Sequence, residues 1–267
     1  MAIKTGERLI PKNCKLAEGK LLYLRHLFAY EFAKFNIPKN SNLLEVGFGE
    51  GYGISLLSNS KKFKKIHALD INYDCIKNAK EKYNFKNLSF EIYDGKKIPF
   101  KDNSFDAIIS FQVIEHIKND SGFINEIHRV LKKGGILILT TPNRNYRLKP
   151  NQKLSNPFHV REYSPQSFKK LLNNKFSSMS IKGIIGTPDV QKIELNRVKK
   201  FESLNLIDPF KLRRFISNKI RSSFKDILRE TSKKFNKKNN IKYSLKNFYV
   251  TNKNVDKSLD LLALCQK

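Results

Sequence analysis

Residues 43–53 read LLEVGFGEGYG. A short apolar run carries an acidic residue, Glu45, and then glycines fall at Gly47, Gly49, Gly51 and Gly53. Glycine adopts positive φ without penalty and carries no side chain, so such a turn brings backbone N–H groups close to a bound molecule. A strand, a glycine turn and a helix in that order open a doubly wound nucleotide-binding sheet. Tyr52 stands where a dinucleotide fingerprint needs its third glycine, which argues against NAD or FAD. No Gly-Lys-Ser/Thr follows, which argues against a triphosphate-binding P-loop.

The rest of the chain agrees with that opening. Leu21, Leu22, Leu24, Phe28, Phe32 and Phe35 recur at helical spacing ahead of the first strand. Short apolar strands are expected over 43–46, 65–70, 88–93, 105–111, 135–141, 179–185 and 258–265. Helices are expected over 51–57, 73–83, 123–131 and 164–172, the last with Ser164 as cap and Pro165 in its first turn. The alternation predicts an α/β fold, a doubly wound and mostly parallel sheet of seven strands covered on both faces. The organisation expected is a helical segment over 1–41, a core over 42–186, an insertion over 187–256 and a final strand over 257–267.

Charge bears on the insertion. The chain has a formal net charge of +28, which favours an anionic partner. Residues 211–242 hold twelve Lys and Arg against Asp226 and Glu230. Leu212, Phe215, Ile216, Ile220, Phe224, Ile227 and Leu228 would form one apolar face of a basic helix. That helix would cap the active site, lie on an anionic membrane surface, or hold nucleic-acid phosphates. Cys14, Cys75 and Cys265 are widely spaced, without a Cys-x-x-Cys pair, so neither a disulfide framework nor a cysteine zinc site is expected. No signal-peptide core and no 18-residue apolar run is present, so the expected location is cytoplasmic, with peripheral contact at the inner face of a membrane as the variant.

An acidic residue followed by Gly-x-Gly-x-Gly suits S-adenosylmethionine, which has no pyrophosphate to cradle. Four blocks in order then resemble the class I S-adenosylmethionine-dependent methyltransferases, in particular the branch containing the ubiquinone-pathway O-methyltransferases. They are LLEVGFGEGYG (43–53), HALDI (67–71), IYDGKKIPFKDNSFDAIISFQVIEHI (92–117) and EIHRVLKKGGILILTTPN (126–143). The resemblance implies S-adenosyl-L-methionine as cofactor. Asp70, followed by Ile71, would accept the ribose hydroxyls, and Asp94 would meet the adenine amino group, with Gly95 letting the backbone approach. Gly47, Gly49 and Gly51 would line the turn, with Glu45 orienting that loop or the ammonium of the methionine portion. Phe111 would line the cleft, and Arg25 would meet the cofactor carboxylate.

Methyl transfer from a sulfonium needs in-line positioning and exclusion of water, and a hydroxyl acceptor also needs its proton removed. Glu115 and His116 follow the fourth strand at the carboxyl edge of the sheet, and His159 lies in the loop after the fifth. These three are the candidate catalytic residues. Ubiquinone-pathway enzymes carry Glu-x-x-Glu-His here, which can hold a divalent metal. This chain has Gln112 in place of the first carboxylate, so no metal is expected. The expected acceptor is an oxygen of a small molecule, a sugar or glycan, or a lipid-linked substrate. The Asn-Pro-Pro-Tyr motif of base-amino methyltransferases is absent, leaving other RNA positions as the alternative, together with a non-catalytic S-adenosylmethionine-binding module.

Overall fold

The computed structural model describes residues 9, 11, 14, 17–154, 156, 158–173, 175–207 and 243–267. The basic helix expected over 212–228 lies outside them. Helix α1 (Ala17–Asn36) leads into β1 (Asn42–Val46), α2 (Tyr52–Asn59), β2 (Lys65–Asp70), α3 (Tyr73–Lys82) and β3 (Leu88–Ile92). Then come β4 (Phe105–Phe111), a 3-10 turn (Ile114–His116), α4 (Asp120–Val130), β5 (Leu131–Pro142), the short α5 (Arg144–Arg147), α6 (Pro165–Leu172) and β6 (Ser178–Gly186). The chain closes with α7 (Pro188–Ile207), β7 (Phe248–Thr251) and β8 (Asp260–Gln266).

The sheet has eight strands, not seven, in the order β3-β2-β1-β4-β5-β8-β6-β7. The first five pair in parallel, whereas β8, β6 and β7 run antiparallel to their neighbours, so the sheet is mixed. The additional strand is β7, which pairs with residues 183–186 of β6 at the edge. The segment expected as a helical insertion therefore contributes a helix and an edge strand among its described residues.

Period-two alternation sorts the core. Leu43, Ile66, Ala107 and Ile109 face the side covered by α1, α2 and α3, and pack with Leu21, Ile54, Leu57 and Ile76. Leu44, Val46, Leu69 and Ile108 face the other side, against Ile124 and Ile127 of α4 and Phe168 of α6. Each buried Leu, Ile, Val or Phe side chain among them contributes about 1.5–3 kcal/mol of transfer free energy. The alternation also decides the environment of Glu45. It shares a face with Leu43, so it points under α1 and is fully buried. Helix α6 begins as expected, with the Ser164 side chain accepting from the Ser167 N–H and Pro165 next to the cap.

Candidate functional site

The turn after β1 places Gly47, Gly49 and Gly51 at φ 84°, 59° and 73°. A Cβ on Gly47 would stand 2.4 Å from the Cγ2 of Val113, so the turn is closed against the segment after β4. Gly49 has open space where its Cβ would be. Asp70 ends β2 beside this turn. One of its oxygens accepts from the Gly49 N–H at 2.9 Å, and the other from the Asn72 N–H at 2.9 Å.

Glu45 is the electrostatic centre of this region. Its Oε1 accepts from the Tyr30 phenol, and its buried Oε2 has no hydrogen-bond partner among the described residues. Burial, reinforced by the nearby Asp70 charge, pushes its carboxyl up to about 8, against the lowering effect of the Tyr30 bond. A buried acceptor with no donor is costly, and an ammonium group is the donor that would relieve it. Phe111, at the end of β4 and 7% exposed, meets the Tyr30 ring edge-on at 4.9 Å.

The far end of the region is more open. Asp94 is exposed, and it accepts from the Lys96 and Lys97 N–H groups at 2.8 and 2.9 Å, which hold its carboxyl below the usual range. Gly95 has φ 75° and abuts Ile71, an isoleucine 45% exposed. An exposed apolar side chain beside an approachable backbone suits the face of a planar ring.

Arg25 sits elsewhere. It is 5% exposed, with Nη1 3.2 Å from Glu194 of α7 and Nε 2.8 Å from Asp260 of β8. Two carboxylates of its own chain occupy the guanidinium, and a cofactor carboxylate would have to displace them. In this arrangement Arg25 ties α1 to α7 and β8.

The three candidate catalytic residues come together. Among the described residues, Glu115, His116 and His159 bring ligand-type atoms within 4.8 Å of one another. Their rings and chain are held from several sides. Glu115 is 1% exposed and its Oε2 accepts from the Thr141 hydroxyl at 3.0 Å, while its carbonyl accepts from the Val160 N–H at 2.9 Å. His116 has Nδ1 3.0 Å from the Phe158 carbonyl, and its ring lies edge-on to that of His159 at 5.0 Å. His159, 7% exposed, has Nδ1 2.8 Å from Glu162 Oε1, and Arg147 stands 3.5 Å from that same oxygen. The loop is fixed at its far end by Asp120, which pairs with Arg161 and accepts from the Tyr163 hydroxyl at 2.7 Å.

Glu162, Thr141 and Tyr30 are missed by reading motifs alone. Glu162 has a local signal, since it lies three residues after His159 in HVRE. Tyr30 has none. Val113 joins the two halves of the site: it touches the cofactor-type turn and lies two residues before Glu115.

A glycine turn at the carboxyl end of β1, an acidic residue ending β2 and a polar cluster beyond β4 define a nucleotide-type cofactor site in a doubly wound fold. The comparisons with known proteins sharpen that class. Residues 44–139 match the family described as Methyltransferase domain. A probable S-adenosylmethionine-dependent methyltransferase of Mycolicibacterium smegmatis is 32% identical over 168 residues, which cover 63% of this chain and 62% of that protein. The match thus spans less than two thirds of that relative. The fatty-acid O-methyltransferase of the same organism is 31% identical over 108 residues, 40% of this chain and 39% of that protein. A solved S-adenosylmethionine-dependent methyltransferase from Thermotoga maritima shares the fold, with a TM-score of 0.59 and 14% identity over 93% of this chain and 91% of that one. Residues 44–139 thus carry a methyltransferase domain, and the chain is similar to the class I S-adenosylmethionine-dependent methyltransferases, whose methyl donor is S-adenosylmethionine.

Proposed function

We propose that this chain transfers the methyl group of S-adenosylmethionine to an oxygen of a small-molecule, sugar or lipid-linked acceptor. The observation that carries the cofactor half is the buried Oε2 of Glu45, without a donor among the described residues, beside three positive-φ glycines. In this reading Glu45 receives the ammonium of the methionine portion, and Gly47, Gly49 and Gly51 form the turn against which it lies. Asp70, at the end of β2 beside the turn, takes the ribose hydroxyls. Asp94, Gly95 and Ile71 border the adenine, and Phe111 closes the cleft with Tyr30. The cofactor supplies a methyl on a positively charged sulfur, so the protein's work is alignment and exclusion of water.

The acceptor half rests on the cluster beyond β4. An oxygen nucleophile is activated by a nearby base or cation, and Glu115, His116 and His159 are the groups placed there. Phe158 and Val160, which flank His159, are 40% and 42% exposed. Apolar side chains beside a polar cluster favour an acceptor with an apolar body and one oxygen-bearing end. The net charge of +28 favours an anionic acceptor, and the fatty-acid O-methyltransferase relative is consistent with one.

The test is calorimetric titration with S-adenosylhomocysteine, followed by a methyl-labelled donor presented with fatty acids, lipid extracts, glycans and RNA. Micromolar binding of the product cofactor and label in an oxygen-linked methyl of a lipid or glycan support the reading. Alkali-labile label marks an ester and alkali-stable label an ether. Label in RNA alone, or no cofactor binding by folded protein, defeats it.

A further inference from the structure

We propose that the loop over residues 144–162 docks on an anionic lipid bilayer, which deepens the methyl-transfer reading, on which it rests, to an acceptor drawn from a membrane. The loop leaves the carboxyl end of β5 and returns ahead of α6. Its neck is closed by the bridge between Asn143 and Tyr163 and by the Arg144 N–H, which donates to the Tyr163 carbonyl at 2.8 Å. Compact loops with joined ends are frequent carriers of function.

The two faces of this loop differ. The inner face is polar and closed: His159 and Glu162 are buried and bonded to each other at 2.8 Å. The Val160 and Arg161 N–H groups donate to the Glu115 carbonyl at 2.9 and 3.4 Å, which fastens the segment along the turn after β4. On the other side of His159, the Phe158 N–H donates to the Asn156 side chain at 3.0 Å. Burying His159 within so fastened a backbone turns its two neighbours outward, and Phe158 and Val160 are 40% and 42% exposed. Large apolar side chains held in water beside a ligand mouth mark an interaction surface.

Charge names the occupant. Residues 143–163 hold Arg144, Arg147, Lys149, Lys153 and Arg161 against one acid, Glu162. Five to one exceeds the 52 to 24 of the whole chain, so the excess is local. Glu162 is buried, with Arg147 3.5 Å away. Lys149 and Lys153 are exposed, and so is Lys118, whose carbonyl accepts from Arg161 Nη2 at 2.6 Å. Asp120, beside the loop, is paired with Arg161, and Asp256 accepts from the Asn145 amide at 2.6 Å near the neck. Lysines around apolar side chains match anionic headgroups above hydrocarbon. Nucleic acid would use the lysines, and a ring stacks on a base, but Val160 offers no ring. A bilayer uses all of these groups at once. Docked in this way, the loop holds His159 on its protein side, so a lipid acceptor reaches the Glu115, His116 and His159 cluster directly from the headgroup layer.

The test is cosedimentation of full-length protein with phosphatidylcholine vesicles, with equal mixtures of phosphatidylcholine and phosphatidylglycerol, and with structured RNA as a separate arm. Binding to the mixed vesicles, weakened by salt, is expected, with none to phosphatidylcholine alone. A lysine at an anionic surface is worth about fivefold in affinity, so Lys149→Gln with Lys153→Gln should lose roughly 25-fold. Phe158→Ser with Val160→Ser should lose about tenfold or more. Phe35→Ser, at a site 79% exposed on α1, should change nothing. Each variant should bind S-adenosylhomocysteine as wild type does, which shows that it folds. The proposal is overturned by wild type that stays off the mixed vesicles. It is equally overturned by equal vesicle binding in wild type and the Phe158→Ser, Val160→Ser variant, or by binding to RNA alone, which would assign the lysines to nucleic acid. Normal S-adenosylhomocysteine binding alongside any of these results leaves the methyltransferase reading intact. Vesicle binding as expected without cofactor binding defeats that reading alone.

Discussion

The Tyr30 phenol donates to Glu45 across 15 positions of sequence, joining α1 to the strand that carries the glycine turn. Burial raises the Glu45 carboxyl from 4.5 to about 8, so the folded protein keeps a proton that the unfolded chain releases between those values. Stability from this group is therefore fully present below about pH 4.5 and is lost as pH rises toward 8, at about 1.4 kcal/mol per pH unit within the window. Thermal unfolding of apoprotein and of Glu45→Gln across that range should differ by this slope, the variant showing the flatter profile. Affinity for S-adenosylhomocysteine should rise with pH in wild type, because its ammonium pairs with the ionised carboxylate. A pH-independent affinity in wild type would remove Glu45 from the cofactor site.

Asp70 and Gly47 test the same site from the backbone side. Asp70→Ala strips the acceptor from the Gly49 and Asn72 N–H groups and removes the charge proposed to hold the ribose. Hydrogen bonds to charged groups contribute about 1.5–3 kcal/mol, so affinity for S-adenosylhomocysteine should fall about 10–100-fold. Gly47→Ala forces a side chain onto a φ of 84° and into Val113 at 2.4 Å. It should cost about 1–3 kcal/mol of stability and weaken cofactor binding as well. Unchanged affinity in both variants would sink the assignment.

Much of this architecture is legible in the sequence because the strands are short, apolar and punctuated by turns. The bounds of β2 and β4 match the expectation, since KIHALD closes on Asp70 and FDAIISF is followed at once by Gln112. Strand β7 was not foreseen. Its four residues FYVT pair only with the outer half of β6, and Tyr249 stays 48% exposed, so no alternation marks it out. Helix α7 was absorbed into the expected insertion, although Pro188 at its start and Val190, Ile193 and Glu194 on one face carry a helical signal. Within the site, motif spacing locates Glu45, Asp70 and His159, but not their partners. Tyr30 reaches Glu45 only because α1 covers the face that period-two alternation assigns to position 45. Arg25 illustrates the converse: the resemblance suggests a cofactor ligand, and tertiary packing places Glu194 and Asp260 against it, which no motif announces.

Arg25→Met distinguishes these two roles. The substitution keeps the stem's volume and removes the cation from two carboxylates that are each 2% exposed in their side chains. Glu194 retains Arg197, whose Nη2 lies at 2.7 Å, so the unpaired charge falls mainly on Asp260. Breaking a buried pair from one side costs about 3–5 kcal/mol. Burial already holds the Asp260 carboxyl above its ordinary value against the opposing pull of Arg25. Removing Arg25 raises it further, so the folded variant takes up a proton at higher pH and its deficit shrinks on acidification. Chemical denaturation should show a smaller loss near pH 5 than near pH 8, and Asp260→Asn in the Arg25→Met background should recover part of the loss. S-adenosylhomocysteine affinity supplies the decisive reading. A structural tie predicts nearly wild-type affinity in the folded variant, whereas an arginine bound to the cofactor carboxylate predicts a loss of tenfold or more, at about 1.4 kcal/mol per tenfold.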